Sequence, residues 1–152
     1  MPEMRGDALY YLASAYGMNR QFDRSVQVWE QYLRHSPDHA DAHAKFGIIL
    51  GKLQRFEESL RELSKAVKLE PENAFYHYFL GLSFQETEKY QEALRCFSES
   101  VTYNPDFADA HYWQGIMFAF LGHDEAAIEA LENCVEINPG HMDGQFNLCV
   151  AY

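Results

Sequence analysis

An all-α fold of stacked helix pairs is predicted by three features of this sequence. Pro37, Pro71, Pro105 and Pro139 recur at a constant interval of 34 residues, and a fixed period of this size marks a repeat architecture. Between successive prolines, two apolar patterns with a period near 3.6 residues flank a polar break, which predicts two short amphipathic helices per period. Small residues return at fixed places in the period, where paired helices must come close. Each proline follows one helical stretch and precedes the next, so it ends a two-helix unit. Units stacked in this way present an extended surface, which favours binding over catalysis.

Composition narrows the class further. Hydrophobic residues make up 47% and charged residues 23% of the chain, as in ordinary folded proteins rather than disordered ones. No apolar run approaches the ~20 residues needed to span a bilayer, and Met1–Arg5 has no signal-peptide character. The net charge of −11 repels phosphate backbones, so neither nucleic acid nor an anionic membrane is an expected partner. Cys96, Cys134 and Cys149 are odd in number and far apart, with no C-x-x-C spacing, which predicts neither disulfides nor a zinc site. A reducing, intracellular and cytoplasmic setting is the expectation.

The period divides the chain into units at 6–39, 40–73, 74–107 and 108–141, preceded by an extension at 1–5 and followed by the first helix of a fifth unit at 142–152. In the second unit Phe46, Leu50 and Leu53 share one face of the first helix, and Phe56, Leu60, Leu63 and Val67 one face of the second. Helices this short are marginal alone and must be held by their neighbours. Numbering positions within the period as columns, column seven reads Leu12, Phe46, Leu80 and Gln114, and column eight reads Ala13, Gly47, Gly81 and Gly115. Column eleven reads Tyr16, Leu50, Phe84 and Phe118; column twenty reads Ser25, Ser59, Ala93 and Ala127; column twenty-four reads Trp29, Leu63, Phe97 and Leu131. Column four holds Leu9, His43, His77 and His111.

These six columns resemble the tetratricopeptide repeat, a helix–turn–helix unit of 34 residues, over essentially the whole chain. The resemblance implies a right-handed α-solenoid of antiparallel helix pairs, nine helices in all, whose first helices line a concave groove. Two positions depart from the pattern. Tyr32 stands where column twenty-seven is usually small, which puts the packing of the first unit on the second in question, and Asp124 replaces the aromatic of column seventeen. In the fifth unit Leu148, Cys149 and Tyr152 fall on core columns without a second helix to cover them. The expectation is either that the chain belongs to a longer repeat array or that this edge pairs between molecules.

Columns two, five, six, nine, twelve and thirteen face the groove in the resembled family. The ligand groove expected here comprises Tyr11, Lys45, Phe75, Tyr78, Phe79, Leu82, Tyr112, Trp113, Ile116 and Phe120. Tyrosine at column five is common in ordinary repeats, so Tyr78 and Tyr112 carry little weight. Large apolar residues at columns six and nine carry more, since an exposed apolar strip usually marks interaction and aromatic anchors dominate binding energy. The carboxylate clamp of co-chaperones is not matched, because its positions hold Tyr10, Ser14, Lys45, Phe75 and Phe79, or Ala44, Ile48, Phe79, Asp109 and Trp113. An asparagine ladder at column six is absent too, with Asn147 its only match.

Asp7, Asp41, Asp109 and Asp143 at column two form a candidate acidic rim, although a first-turn carboxylate also complements the helix dipole. His43, His77 and His111 read as packing residues, since equivalent columns lie about 10 Å apart and zinc needs donors at about 2.0–2.1 Å. Neither a metal nor a cofactor is expected. Cys96 occupies a less constrained column and is the one place for a reactive thiol, but nothing nearby in the sequence suggests a lowered pKa. No phosphate-binding loop or catalytic motif is present, which points to a non-catalytic scaffold binding an apolar or amphipathic protein segment. The competing readings are the recruiting region of a larger enzyme and a small assembly chaperone, against which the strict register counts.

Overall fold

The computed structural model describes residues 5–152; residues 1–4 of the expected N-terminal extension lie outside the described residues. Among the described residues there are nine helices and no strand: α1 (Gly6–Met18), α2 (Phe22–His35), α3 (Ala40–Lys52), α4 (Phe56–Leu69), α5 (Ala74–Glu86), α6 (Tyr90–Tyr103), α7 (Ala108–Phe120), α8 (Asp124–Ile137) and α9 (Met142–Ala151). The chain divides into two compact units, Met1–Pro71 and Glu72–Tyr152. In the first, α1 pairs with α2 and α3 with α4, and α2 packs on α3. In the second, α5 pairs with α6 and α7 with α8, while α6 packs on α7 and α8 on α9.

Within each pair the helices meet through the small residue of column eight. A Cβ added to Gly47 would lie 2.7 Å from Leu63 Cγ, one on Gly81 2.8 Å from the Phe97 ring, and one on Gly115 3.0 Å from Leu131 Cγ. Each partner is the buried column-twenty-four residue of its own repeat. In the first two repeats a buried serine adds a hydrogen bond to this contact: Ser25 Oγ donates to the Ala13 carbonyl at 2.8 Å, and Ser59 Oγ to the Gly47 carbonyl at 2.7 Å.

The turn inside each pair repeats equally closely. Arg20, Gln54, Glu88 and Gly122, spaced by 34, all adopt positive φ between 59° and 80°. The following amide reaches back to a carbonyl in the last turn, as in Gln21 to Tyr16, Arg55 to Leu50, Lys89 to Phe84 and His123 to Phe118, each at 2.9 Å. This is the left-handed helix end that satisfies orphan carbonyls. Three of the four positions lack the glycine that adopts it without steric cost.

Between repeats, side chains do the joining. The column-four side chain donates to the carbonyl of the punctuating proline in the repeat before it: His43 to Pro37 at 2.6 Å, His111 to Pro105 at 2.8 Å, and Gln145 to Pro139. The recurring histidines therefore tie first helices to the preceding turn. A second contact, within each repeat, joins the column-five tyrosine to the ring at column thirty-four that leads into the next: Tyr10 on His39 (5.4 Å between centroids), Tyr78 on Phe107 (4.7 Å) and Tyr112 on His141 (5.0 Å). Where column five is Ala44, column thirty-four is Asn73, which instead caps α5 by accepting from the amides of Phe75 and Tyr76.

Tyr32 is accommodated rather than disruptive. Its ring sits edge-on to Tyr10 and Trp29, and its hydroxyl lies 2.6 Å from His39 Nδ1. The bulky residue at a small-residue column is thus buried in the aromatic cluster that closes the first repeat on the second.

His43 differs from its repeat mates. Its Nδ1 lies 2.6 Å from Glu62 while Nε2 faces the Pro37 carbonyl. An ionised carboxylate and a carbonyl only accept, so both nitrogens carry hydrogen and the ring is an imidazolium. The Glu62 bond raises the His43 pKa above its ordinary 6.5 despite burial. Burial opposes it, yet bonds from His43 and Lys65 hold Glu62 below its ordinary range. At the positions equivalent to Glu62 stand Cys96 and Ala130, so only this repeat can form the pair.

Two predictions follow from these contacts. Gly81→Ala should destabilise the fold by about 1–3 kcal/mol through overpacking. Gly122→Ala, with nothing within 4 Å of its Cβ, should cost only the left-handed penalty of about 1 kcal/mol; urea unfolding giving the reverse order would contradict the close approach. For the ion pair, a raised histidine pKa means its stabilisation is complete below pH 6.5 and fades as the pH rises through the folded value. His43→Gln should therefore cost about 2 kcal/mol in mildly acidic buffer and progressively less in alkaline buffer. A gap in unfolding free energy that stays constant with pH would refute the imidazolium.

Candidate interaction site

In the second unit the first helices α5 and α7 carry eight of the ten predicted groove residues. Helical spacing sets Phe75, Phe79 and Leu82 along α5, and Trp113, Ile116 and Phe120 along α7. A chain of ring contacts connects them to the core. Phe75 meets Phe107 at 5.0 Å, Phe107 meets Tyr78, Tyr78 meets the fully buried Phe97 at 5.9 Å, and Phe97 stacks nearly parallel on Trp113 at 6.2 Å. Trp113 then meets Tyr112 edge-on, and Phe79 meets Tyr78 in the same way. Phe120 lies flat on Tyr90 at 4.8 Å.

Exposure divides these residues into two sets. Phe75 and Phe120 are 54% and 61% exposed. Tyr78, Phe79, Leu82, Tyr112, Trp113 and Ile116 are half-buried, and Tyr78, Leu82, Trp113 and Ile116 pack on the core of Ala93, Phe97 and Met117. Trp113 and its neighbours are therefore both wall and support. Burial pushes the Tyr78 phenol up to about 12, with the Asp109 carboxylate adding to it and a hydrogen bond with Trp113 opposing. Tyr78 is neutral at any ordinary pH.

The remaining two predicted residues lie in the first unit. Tyr11 is 70% exposed and stands edge-on to Tyr10. The Lys45 ammonium is already engaged: it lies over the Tyr10 ring at 4.7 Å, donates to the Tyr10 hydroxyl at 2.5 Å and pairs with Asp41 at 3.1 Å. Asp41 in turn accepts from the Tyr10 hydroxyl, so this column-two carboxylate joins two repeats besides opening α3. Beside Lys45 is an open cavity of about 240 Å³ whose apolar lining includes Met18, Trp29 and Ile48. Met18 and Ile48 stand at groove columns but carry no aromatic signal, and the cavity is visible only once α1 and α3 are assembled.

Cys96 is buried, and burial pushes its thiol up to about 12; Cys134, also buried, is raised to about 11. Neither is a thiolate at neutral pH, so Cys96 carries no activated thiol. Among the described residues no group of His, Cys, Asp or Glu side chains gathers as a metal ion would require. No helix among them is long and apolar enough to cross a membrane.

Tetratricopeptide repeat models match residues 7–39, 40–73 and 80–141, most of the chain. The chain belongs to the tetratricopeptide repeat family. Its all-α fold is that of solved tetratricopeptide solenoids. A crystal structure of MamA protein superposes with a TM-score of 0.91 at 22% identity, covering 97% of this chain and 80% of that one. MamA from Desulfovibrio magneticus RS-1, from residue 41 to its end, gives 0.84 at 23% identity, covering 90% and 77%. YrrB, described as a tetratricopeptide repeat protein with an unusual peptide-binding site, gives 0.85 at 25% identity, covering 93% and 73%. No curated protein sequence matches significantly.

The division of the tetratricopeptide face into exposed rings and core-coupled rings has a measurable consequence. Trp113→Ala should cost about 2–3 kcal/mol of stability, less than a fully buried tryptophan, because it removes the stack on Phe97. Phe75→Ala and Phe120→Ala should each stay within about 1 kcal/mol of the parent. Equal losses in thermal unfolding for all three would contradict this division.

Proposed function

We propose that this tetratricopeptide repeat protein is a non-catalytic scaffold, and that a peptide or helix segment of another protein lies on the α5–α7 face. The observation that carries the reading is the row of large apolar side chains on that face, with Phe75 and Phe120 left more than half exposed. Exposed apolar patches of this kind mark interaction sites, and rings anchored on a packed core lose little freedom when covered. The peptide-binding site described for YrrB supports a ligand of the same class. Tyr78, Phe79, Leu82, Tyr112, Trp113 and Ile116 form the floor, with Phe75 and Phe120 as anchors at its two ends. Tyr11 and Lys45 serve the first unit, where Lys45 holds Tyr10 and Asp41 in place.

A second contact surface is proposed on α9. At the edge columns Cys149 and Tyr152 are exposed and Leu148 is half-buried, which favours self-association through this edge.

Affinity capture with the full chain tests the first reading. A Phe75→Ala/Phe79→Ala/Phe120→Ala variant that keeps the parent's circular dichroism should lose the captured partner, with anchor losses of about 2 kcal/mol or more. A partner retained at full strength by this variant would remove the α5–α7 face from the proposal.

A further inference from the structure

The charge of the chain is partitioned between its two units. Residues 1–71 hold ten lysine or arginine and ten acidic residues, whereas residues 72–152 hold two basic and thirteen acidic ones. The whole net charge of −11 therefore belongs to the second unit, and no lysine or arginine occurs after Arg95. This is also the unit that carries the aromatic face. Glu86 follows Leu82 on α5, Asp109 precedes Trp113 on α7, and Asp143 opens α9; all three are exposed. Glu72 and Asp106, ahead of α5 and α7, are exposed as well. None of the groove columns of α5, α7 or α9 holds a lysine or arginine.

We infer that the segment bound on the α5–α7 face is basic: apolar anchors flanked by lysine or arginine. The inference rests on the groove reading above and adds the chemistry of its occupant. Three physical terms agree on it. An acidic segment would be juxtaposed with like charge, which is unfavourable at an interface. A basic one is steered by the unit's field, which raises its association rate. The exposed faces of Phe75 and Phe120 attract ammonium and guanidinium groups through the ring quadrupole. The first unit, with equal numbers of each sign and local pairs such as Asp41–Lys45, Arg55–Glu58 and Glu62–Lys65, exerts no such selection.

A random peptide display library selected on the full chain, with counter-selection on the Phe75→Ala/Phe120→Ala variant, separates this inference from the reading beneath it. Clones that depend on the two rings should carry an excess of lysine and arginine over acidic residues. A synthetic peptide of the selected sequence should lose at least about tenfold in affinity as salt rises from about 0.05 to 0.5 M, where screening shortens the reach of surface charge. Its glutamine-for-lysine version should bind correspondingly worse, as should the parent peptide on a Glu86→Gln/Asp109→Asn/Asp143→Asn chain. Ring-dependent clones without basic excess or salt dependence would overturn the charge inference and leave the groove standing. If no clone depends on Phe75 and Phe120, both fall.

Discussion

The contact on which the rest of the structure depends is the near-touching of two helix backbones at column eight. Opposite Gly47 and Gly81, Leu63 and Phe97 leave no room for another carbon, and opposite Gly115 a carbon would fit only if Leu131 gave way slightly. This holds the axes of a pair at the short end of the usual helix-packing range, and a turn with one left-handed residue then closes the hairpin. The pair is secured through columns eight, twenty and twenty-four, and columns five and six border that contact: Tyr10 meets Trp29, and Tyr78 and Trp113 meet Phe97, each at column twenty-four.

Joining successive hairpins is a separate problem, solved by longer side chains. Histidine or glutamine at column four reaches the proline carbonyl of the preceding repeat. The proline thus stops one helix and supplies an acceptor to the next. Tyrosine at column five packs on the ring that closes its own repeat, and its hydroxyl reaches the following one, as Tyr10 does to Asp41 and Lys45 and Tyr112 to Asn147. The same tyrosines that border the proposed binding face therefore also fasten repeats together. This is why ligand-facing and structural roles do not separate cleanly by column.

Much of this was legible in the sequence, since periodicity is a property of letters alone. The helix starts at Gly6, Ala40, Ala74, Ala108 and Met142 follow the proline period, and the small-residue columns announced the close approach. What was illegible involved partners across the period. The engagement of Lys45 depends on a tyrosine 35 residues away, and the burial of Tyr32 depends on a hydrogen-bond partner for its hydroxyl in His39. The left-handed turn positions are Arg20, Gln54 and Glu88 before they are Gly122, so no glycine signal marks them. Trp113 reads as a groove residue by column, yet its stack on Phe97 also makes it part of the core.

Charge is the property that most distinguishes the two units, although the period is the same in both. Thirteen carboxylates against two lysine or arginine side chains leave the second unit with a net charge of −11. Like charge at that density opposes compaction, so the second unit folds against a repulsion that the first does not experience. The packing columns can sustain it because their contacts are apolar and backbone-directed, hence indifferent to charge. Nothing in the repeat geometry calls for the acidity: columns eight, twenty and twenty-four are equally well filled in the first unit, where the charges balance. Some of these carboxylates do serve the fold, Asp109 beside His141 Nε2 at 2.9 Å and Asp124 and Glu125 in the first turn of α8, but the excess of thirteen acidic over two basic residues is larger than those contacts use. In this unit Glu86, Asp109 and Asp143 stand on the first helices that also carry the apolar side chains, while seven further carboxylates on α6 and α8 add to the field from the second helices, so recognition by shape and by charge would act on one ligand.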